Sequence, residues 1–142
     1  MTAADELRAL VEERVRAVRE KDGTTLIARP TEDVVTFDVL PPLSSRGSHA
    51  TAGHLQQWFD GYRGRIDYTV RDLQVHAQSD LGFCSFLYHV GGTLTTGEAV
   101  NMWVRATLCC RRIDGRWRIV HDHESVPFDP ATGRALTGLE PQ

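Results

Sequence analysis

The second half of the chain repeats one pattern that few folds can absorb: apolar and polar residues alternate with period two from Ile66 to Val126, interrupted only by turn residues. Period two places alternate side chains on opposite faces of a strand, so this half must form an antiparallel sheet. Ile66, Tyr68 and Val70 share one phase, and Leu73, Val75 and Ala77 share the other. The slip at Arg71–Asp72 is what one extra residue produces, and such β-bulges bend sheets. Gly82 to Val90 is apolar in both phases and reads as a central strand, with Gly91, Gly92 and Gly97 marking the turn after it. Asn101 to Ile113 reads as a long strand, Asp114-Gly115 as a hairpin turn and Arg116 to Val126 as the return. Pro127 and Pro130 stop it.

The first half has a different period. Leu7, Leu10, Val11, Val15 and Val18 make one apolar stripe on a helix predicted over Ala3 to Lys21, with Thr2 and Asp5 spaced as a capping box. A short helix is predicted over Thr24 to Ala28, ended by Pro30. A strand is predicted over Asp33 to Asp38, a polar loop over Ser44 to Ser48, and a helix over Thr51 to Tyr62. Helices followed by a run of strands define an α+β class. Two early helices cover only one face of a bent antiparallel sheet, which predicts a cone with an internal pocket. One domain is expected over residues 1–130, with a loosely held tail over residues 131–142.

Composition narrows the function. A net charge of −3 leaves no basic surplus for a nucleic-acid backbone. No apolar run is long enough to span a bilayer, and Met1 to Asp22 lacks the apolar stretch of a secretory signal, so a cytoplasmic protein without membrane partners is expected. The three cysteines, Cys84, Cys109 and Cys110, are odd in number, and the adjacent pair leaves a strand on opposite faces. Reduced thiols are expected rather than a disulfide framework.

Two stretches carry a family resemblance. Arg111 to Ser125, with its Asp114-Gly115-Arg116-Trp117 turn and His121-Asp122-His123-Glu124-Ser125 strand, resembles the closing hairpin of SnoaL-like domains and of the calcium/calmodulin-dependent kinase II association domain. Val34 to Gly47, with Phe37-Asp38 ahead of Pro41, Pro42 and Gly47, is similar to the segment where ketosteroid isomerases carry their general-base aspartate. With the element order, this identifies roughly Ala3 to Pro127 as resembling the nuclear transport factor 2-like superfamily. Asp38 stands at the isomerase base position, and the handling of a proton beside a carbonyl is what that resemblance implies. The family's first-helix tyrosine falls at Arg14 and its strand-borne acid near Cys109, so the oxyanion hole is not reproduced and steroid isomerisation is not expected. The association domain's pocket arginines fall at about Thr107 and Glu124, so its binding site does not carry over either.

The candidate residues have open readings. Asp38 is a pocket base or a cap on the Pro-Pro turn. Arg14 lies on the apolar side of the first helix, where it pairs with Asp38 or Glu124, holds a ligand oxygen, or snorkels to water. Asn101, Trp103, Arg105, Thr107, Cys109 and Arg111 share one strand face, and Met102, Val104, Ala106, Leu108 and Cys110 share the other. The mixed face is expected to line the cavity, with Arg105 as a ligand cation or a structural ion pair. The apolar face is expected to pack, against a second subunit in one reading, and the reverse assignment is open. The resemblance turns Asp122 and Glu124 inward and gives His121 and His123 structural or ligand-edge roles. Zinc at the His-x-His pair would need a third ligand from His76, His89 or Asp38, and no metal is expected. Trp58 and Tyr88 offer aromatic surface with polar tips, while Phe59 and Phe86 read as core.

Together these imply a cofactor-independent acid/base enzyme acting on a small hydrophobic carbonyl- or hydroxyl-bearing molecule, by isomerisation, cyclisation, dehydration or epoxide opening. Asp38, Glu124 and Asp122 would handle protons, and Arg105 or Arg14 would steady oxyanion charge. The other reading is a non-catalytic ligand-binding or association module, and a homodimer is expected in either case.

Overall fold

The capping box forms as the sequence predicts. In the computed structural model, which describes residues 1–142, the Asp5 amide donates to Thr2 Oγ1 at 3.1 Å and the Thr2 amide donates to Asp5 Oδ2 at 3.0 Å. Helix α1 runs from there over Ala3–Arg19 and buries Leu7, Leu10, Val11, Ala17 and Val18. Helix α2 is Gly23–Ile27, capped by Asp22, whose carboxylate accepts from the Thr25 amide. Helix α3 is Ser48–Asp60, a few residues earlier than predicted, with Gly61 as its C-cap.

Six strands form a single sheet: β1 Pro30–Phe37, β2 Ser45–Arg46, β3 Tyr62–Gln78, β4 Leu81–Leu94, β5 Ala99–Ile113 and β6 Arg116–Ser125. Their order is β2-β1-β6-β5-β4-β3. The predicted all-antiparallel sheet is corrected in one place, because β1 pairs with β6 in parallel. Helix α3 and the three strands after it intervene, and parallel neighbours need such a crossover. The phase slip at Arg71–Asp72 is a real irregularity: register with β4 shifts between Arg71 and Gln74, and Asp72 has φ 56°. A second shift lies between Arg63 and Asp67, and a third between Cys109 and Cys110 against β6. These bends curve the open sheet around α1.

Strand β4 runs through Gly91 and Gly92 instead of turning there, since both pair in register with β5 as Gly91↔Asn101 and Gly92↔Val100. Gly82 is needed for a close approach: a Cβ there would meet Leu7 Cδ1 at 2.7 Å and the His76 carbonyl at 2.8 Å. The hairpin turn forms at Asp114 and Gly115, both with positive φ (52° and 78°). The segment after β6 is better tied than expected as far as Leu136, whose amide donates to the Pro127 carbonyl at 2.8 Å, with a bridge between Phe128 and Ala135. No helix is long and apolar enough to cross a membrane.

One core fills the space between α1 and the concave face of the sheet, and it includes Ile66, Tyr68, Cys84, Phe86, Val90, Val104, Ala106, Leu108, Cys110 and Ile119. Two polar clamps join α1 and the segment after α2 to the hairpin. Trp117 Nε1 donates to Glu6 Oε2 at 2.6 Å, and Arg29 bridges Glu13 Oε1 (3.0 Å) and the Trp117 carbonyl (3.0 Å).

Candidate active site

The face assignment on β5 is the reverse of the expected one. Val104, Ala106, Leu108 and Cys110 are buried against the helices, and Trp103, Arg105, Thr107 and Arg111 lie on the outer face. The apolar stripe of α1 requires an apolar partner, and the mixed face would bury guanidinium groups beneath the helix without counter-ions. The apolar face is therefore interior and is not free for a second subunit. Arg105 is exposed, donates to Ser125 Oγ at 3.2 Å, and is not among the residues that line the cleft beside Asp38 and Glu124. Trp103 packs against His89 at 5.2 Å between ring centroids, with Arg71 5.9 Å from its ring. Neither Trp103 nor Thr107 is part of the cleft.

Register then fixes β6. Leu108 pairs with Asp122 and Ala106 with Glu124, so both acids share the inner face. Arg14, one α-helical turn beyond Leu10, reaches down to them. Its Nη2 is 3.0 Å from Asp122 Oδ2 and 3.5 Å from Glu124 Oε2, and the three side chains are only 19%, 13% and 12% exposed. Arg14 thus pairs with Asp122 and Glu124 rather than with Asp38. Tyr88, on the inner face of β4, donates its hydroxyl to Glu124 Oε1 at 2.6 Å. Tyr68 of β3 stacks on Tyr88 at 4.7 Å. Arg14 Nε and Asp122 Oδ1 are buried without a protein partner.

Two carboxyls share one guanidinium, and this imbalance governs the electrostatics. Burial, then the charge of Asp122, pushes the Glu124 carboxyl far above its ordinary value, while Arg14 and the Tyr88 hydroxyl pull it partly back. Burial alone would disfavour the Arg14 charge, but Asp122 and Glu124 outweigh it and hold the guanidinium protonated. Burial and the charge of Glu124 raise the Tyr88 phenol well above its ordinary range, so it stays a donor.

Glu124 also reaches a cleft of ≈ 540 Å³, lined by Phe37, Asp38, Val39, Leu43, Ser44, His123, Glu124, Ser125 and Val126. The volume lies in the usual range for small-molecule sites. Asp38 sits on its rim just past β1. Its Oδ1 accepts from the Val39 amide at 2.6 Å, the cap expected of a turn aspartate. The residue is open to solvent on one side. The cleft wall on the other removes enough water to raise its carboxyl, and the charge of Glu124 adds to the rise. Asp38 therefore both caps the Val39 amide and lines the cleft.

The histidines divide. His123 lines the cleft beside Phe37 (5.5 Å), whereas His121 hydrogen-bonds through Nδ1 to the Val35 carbonyl at 2.7 Å. Histidine, cysteine and acidic side chains nowhere gather in a group of three or more suited to a metal ion. Trp58 lies away from the cleft, against Phe59 and Tyr62. Tyr88 is not free for a ligand, since Glu124 takes its hydroxyl. The three cysteines are free thiols. Sequence reasoning missed Tyr68, Val39 and Leu43. Tyr68 shares the phase of Ile66, which marked it as inward, but its neighbour Arg14 arrives only through the fold.

A curved, open sheet with its helices on one face and an acid-bearing cleft at one end defines a nuclear transport factor 2-like domain. Residues 7–129 match the SnoaL-like domain, and the chain belongs to that family. An NTF2-like protein of unknown function from Pseudomonas putida is similar over 98% of this chain and 96% of its own, at 34% identity and TM-score 0.90. An NTF2-like superfamily protein from Salmonella enterica shares 16% identity and TM-score 0.79, covering 94% of this chain and 96% of that one. A ketosteroid isomerase-like protein from Erwinia carotovora shares 18% identity and TM-score 0.74, over 86% and 94%. These last two likenesses are of fold. No curated protein matches the chain.

Proposed function

We propose that this SnoaL-like protein is an acid/base enzyme that needs no cofactor and acts on a small hydrophobic molecule bearing a carbonyl or hydroxyl group. One observation carries the reading: Asp38 and Glu124 line the same cleft, and both carboxyls are raised. Pairs of acids whose surroundings separate their proton affinities divide into a base and an acid. Glu124, buried beside Asp122, keeps its proton near neutral pH and serves as the acid. Asp38, at the wetter rim, is the base. Phe37, Val39, Leu43 and Val126 supply apolar wall for the ligand body. Arg14 is the counter-ion of the buried acids and is not an oxyanion donor. Isomerisation, cyclisation, dehydration and epoxide opening all need only such a pair.

A nitrobenzisoxazole tests the pair without knowledge of the natural substrate. Asp38 takes the ring C–H proton, that bond's electrons form the nitrile, the N–O bond breaks, and the protonated Glu124 carboxyl donates a hydrogen bond to the departing phenolate oxygen. Asp38→Asn should slow turnover by about 100-fold or more. Equal buffer-corrected rates in both proteins would contradict the assignment.

One observation favours the second reading, a non-catalytic dimerisation module of the same fold. Near its β3–β4 turn the sheet exposes Leu81 (57%) and Phe83 (43%), apolar side chains that a second copy would cover in that reading. A protein that is dimeric in sedimentation and inert toward the benzisoxazole would fit that reading.

A further inference from the structure

We propose that Tyr88 is the positioning residue of Glu124: its hydroxyl holds Oε1 and leaves Oε2 as the oxygen that gains and loses the proton. The proposal rests on reading Glu124 as the acid. The inner face of β4 carries Cys84, Phe86, Tyr88 and Val90, all buried. A phenylalanine at 88 would fill the same volume, so the hydroxyl is the feature that requires a reason. Burying a hydroxyl is costly unless it is bonded, and such groups usually find backbone or water. This one instead donates to a cleft carboxyl at 2.6 Å, 36 residues away in sequence. The Arg14 contact to Oε2 is longer, at 3.5 Å, so the two carboxyl oxygens are unequal. Tyr68 stacks on the Tyr88 ring at 4.7 Å with a 24° tilt and fixes its plane.

The groups that face Glu124 come from every element around it: Arg14 from α1, Tyr68 from β3, Tyr88 from β4, Asp122 from its own strand, and Asp38 from beyond β1. Of these, only Arg14 and Tyr88 favour its ionised form. Arg14 is shared with Asp122, and Tyr88 serves Glu124 alone. The hydroxyl therefore decides which oxygen is exchangeable and keeps the proton within reach of release.

The test is a carboxyl titration by NMR on protein labelled with ¹³C-glutamate, with Glu124→Gln identifying the signal. Tyr88→Phe should move the Glu124 midpoint upward by about one pH unit, the size of a lost charge-assisted hydrogen bond. Difluorotyrosine at position 88 keeps the shape, is a stronger donor, and should move the midpoint downward. An unmoved midpoint in proteins that melt like wild type would overturn the proposal. Should Tyr88→Phe fail to fold, the difluorotyrosine protein decides alone: a downward shift supports the role and no shift refutes it. These readings are separable from the catalytic one. A protein inert toward the benzisoxazole but showing both shifts removes the acid/base assignment and leaves the Tyr88–Glu124 pairing standing. Turnover with an unmoved midpoint does the reverse.

Discussion

Helix α1 meets the closing hairpin at two ionic clusters that use the same ingredients and end up different in kind. At one end Glu6 of the helix receives Trp117 Nε1 (2.6 Å) and Arg112 Nη1 (3.3 Å), and Arg112 also binds Asp80 (2.9 Å) and covers the Trp117 ring at 5.2 Å. There too two acids meet one guanidinium, but the cluster stands at the surface, with Glu6 and Arg112 partly exposed and Asp80 open to water. At the other end the helix supplies the cation and the strand supplies two acids. Asp122 and Glu124 outnumber Arg14, all three are mostly buried, and one acid opens onto a cleft. The difference teaches that burying such an unbalanced cluster, and not the imbalance alone, separates a site from a staple.

The comparison breaks first at Arg14. Arg14→Met leaves two buried carboxyls without a cation, and a loss of about 3 kcal/mol is expected in urea unfolding at neutral pH, where partner removal from a buried pair is most damaging. A loss near zero would mean that the acids were already solvated. Glu124→Gln comes next. The folded protein raises the Glu124 carboxyl above its value of 4.5 to about 8. A raised pKa adds stability that is complete below the unfolded value and is lost as pH climbs through the folded one. The variant should therefore gain on wild type between about pH 5 and pH 8, on the order of 4 kcal/mol, in paired unfolding curves. An advantage that shrinks with rising pH would reverse the sign of the account. Glu6→Ala should cost about 1–2 kcal/mol, by removing the acceptor of the Trp117 indole, with no change in benzisoxazole turnover. The smallest effect belongs to Arg105→Gln, on the outer face. Turnover should be unchanged and stability altered by no more than about 0.5 kcal/mol. A large loss of turnover would restore the cavity-facing assignment of β5.

Much of this was legible in the residues. The capping box, the α1 stripe, the bulge at Arg71–Asp72 and the Asp114-Gly115 turn are local signals, and each folds as its chemistry dictates. The hairpin motif placed Asp122 and Glu124 inward. Which face of β5 is interior was not legible, because alternation marks two faces and only the partner element chooses between them. The parallel β1–β6 pairing was hidden for a similar reason, since it joins residues nearly ninety positions apart, as in Val35↔His121. Arg14 was visible as an oddity on an apolar stripe, but its choice of Asp122 over Asp38 depends on how deep the helix seats in the sheet. The hydroxyl of Tyr88 looked like a ligand contact because the sequence cannot show that Glu124 already takes it.

The most direct test is the pH dependence of benzisoxazole turnover in wild type and Glu124→Gln. If a rim base and a buried acid share the cleft, the wild-type rate rises as Asp38 ionises and falls again on an alkaline limb near pH 8, and the variant loses that limb. An alkaline limb that persists unchanged in Glu124→Gln, or a rate that never falls at high pH, would contradict it.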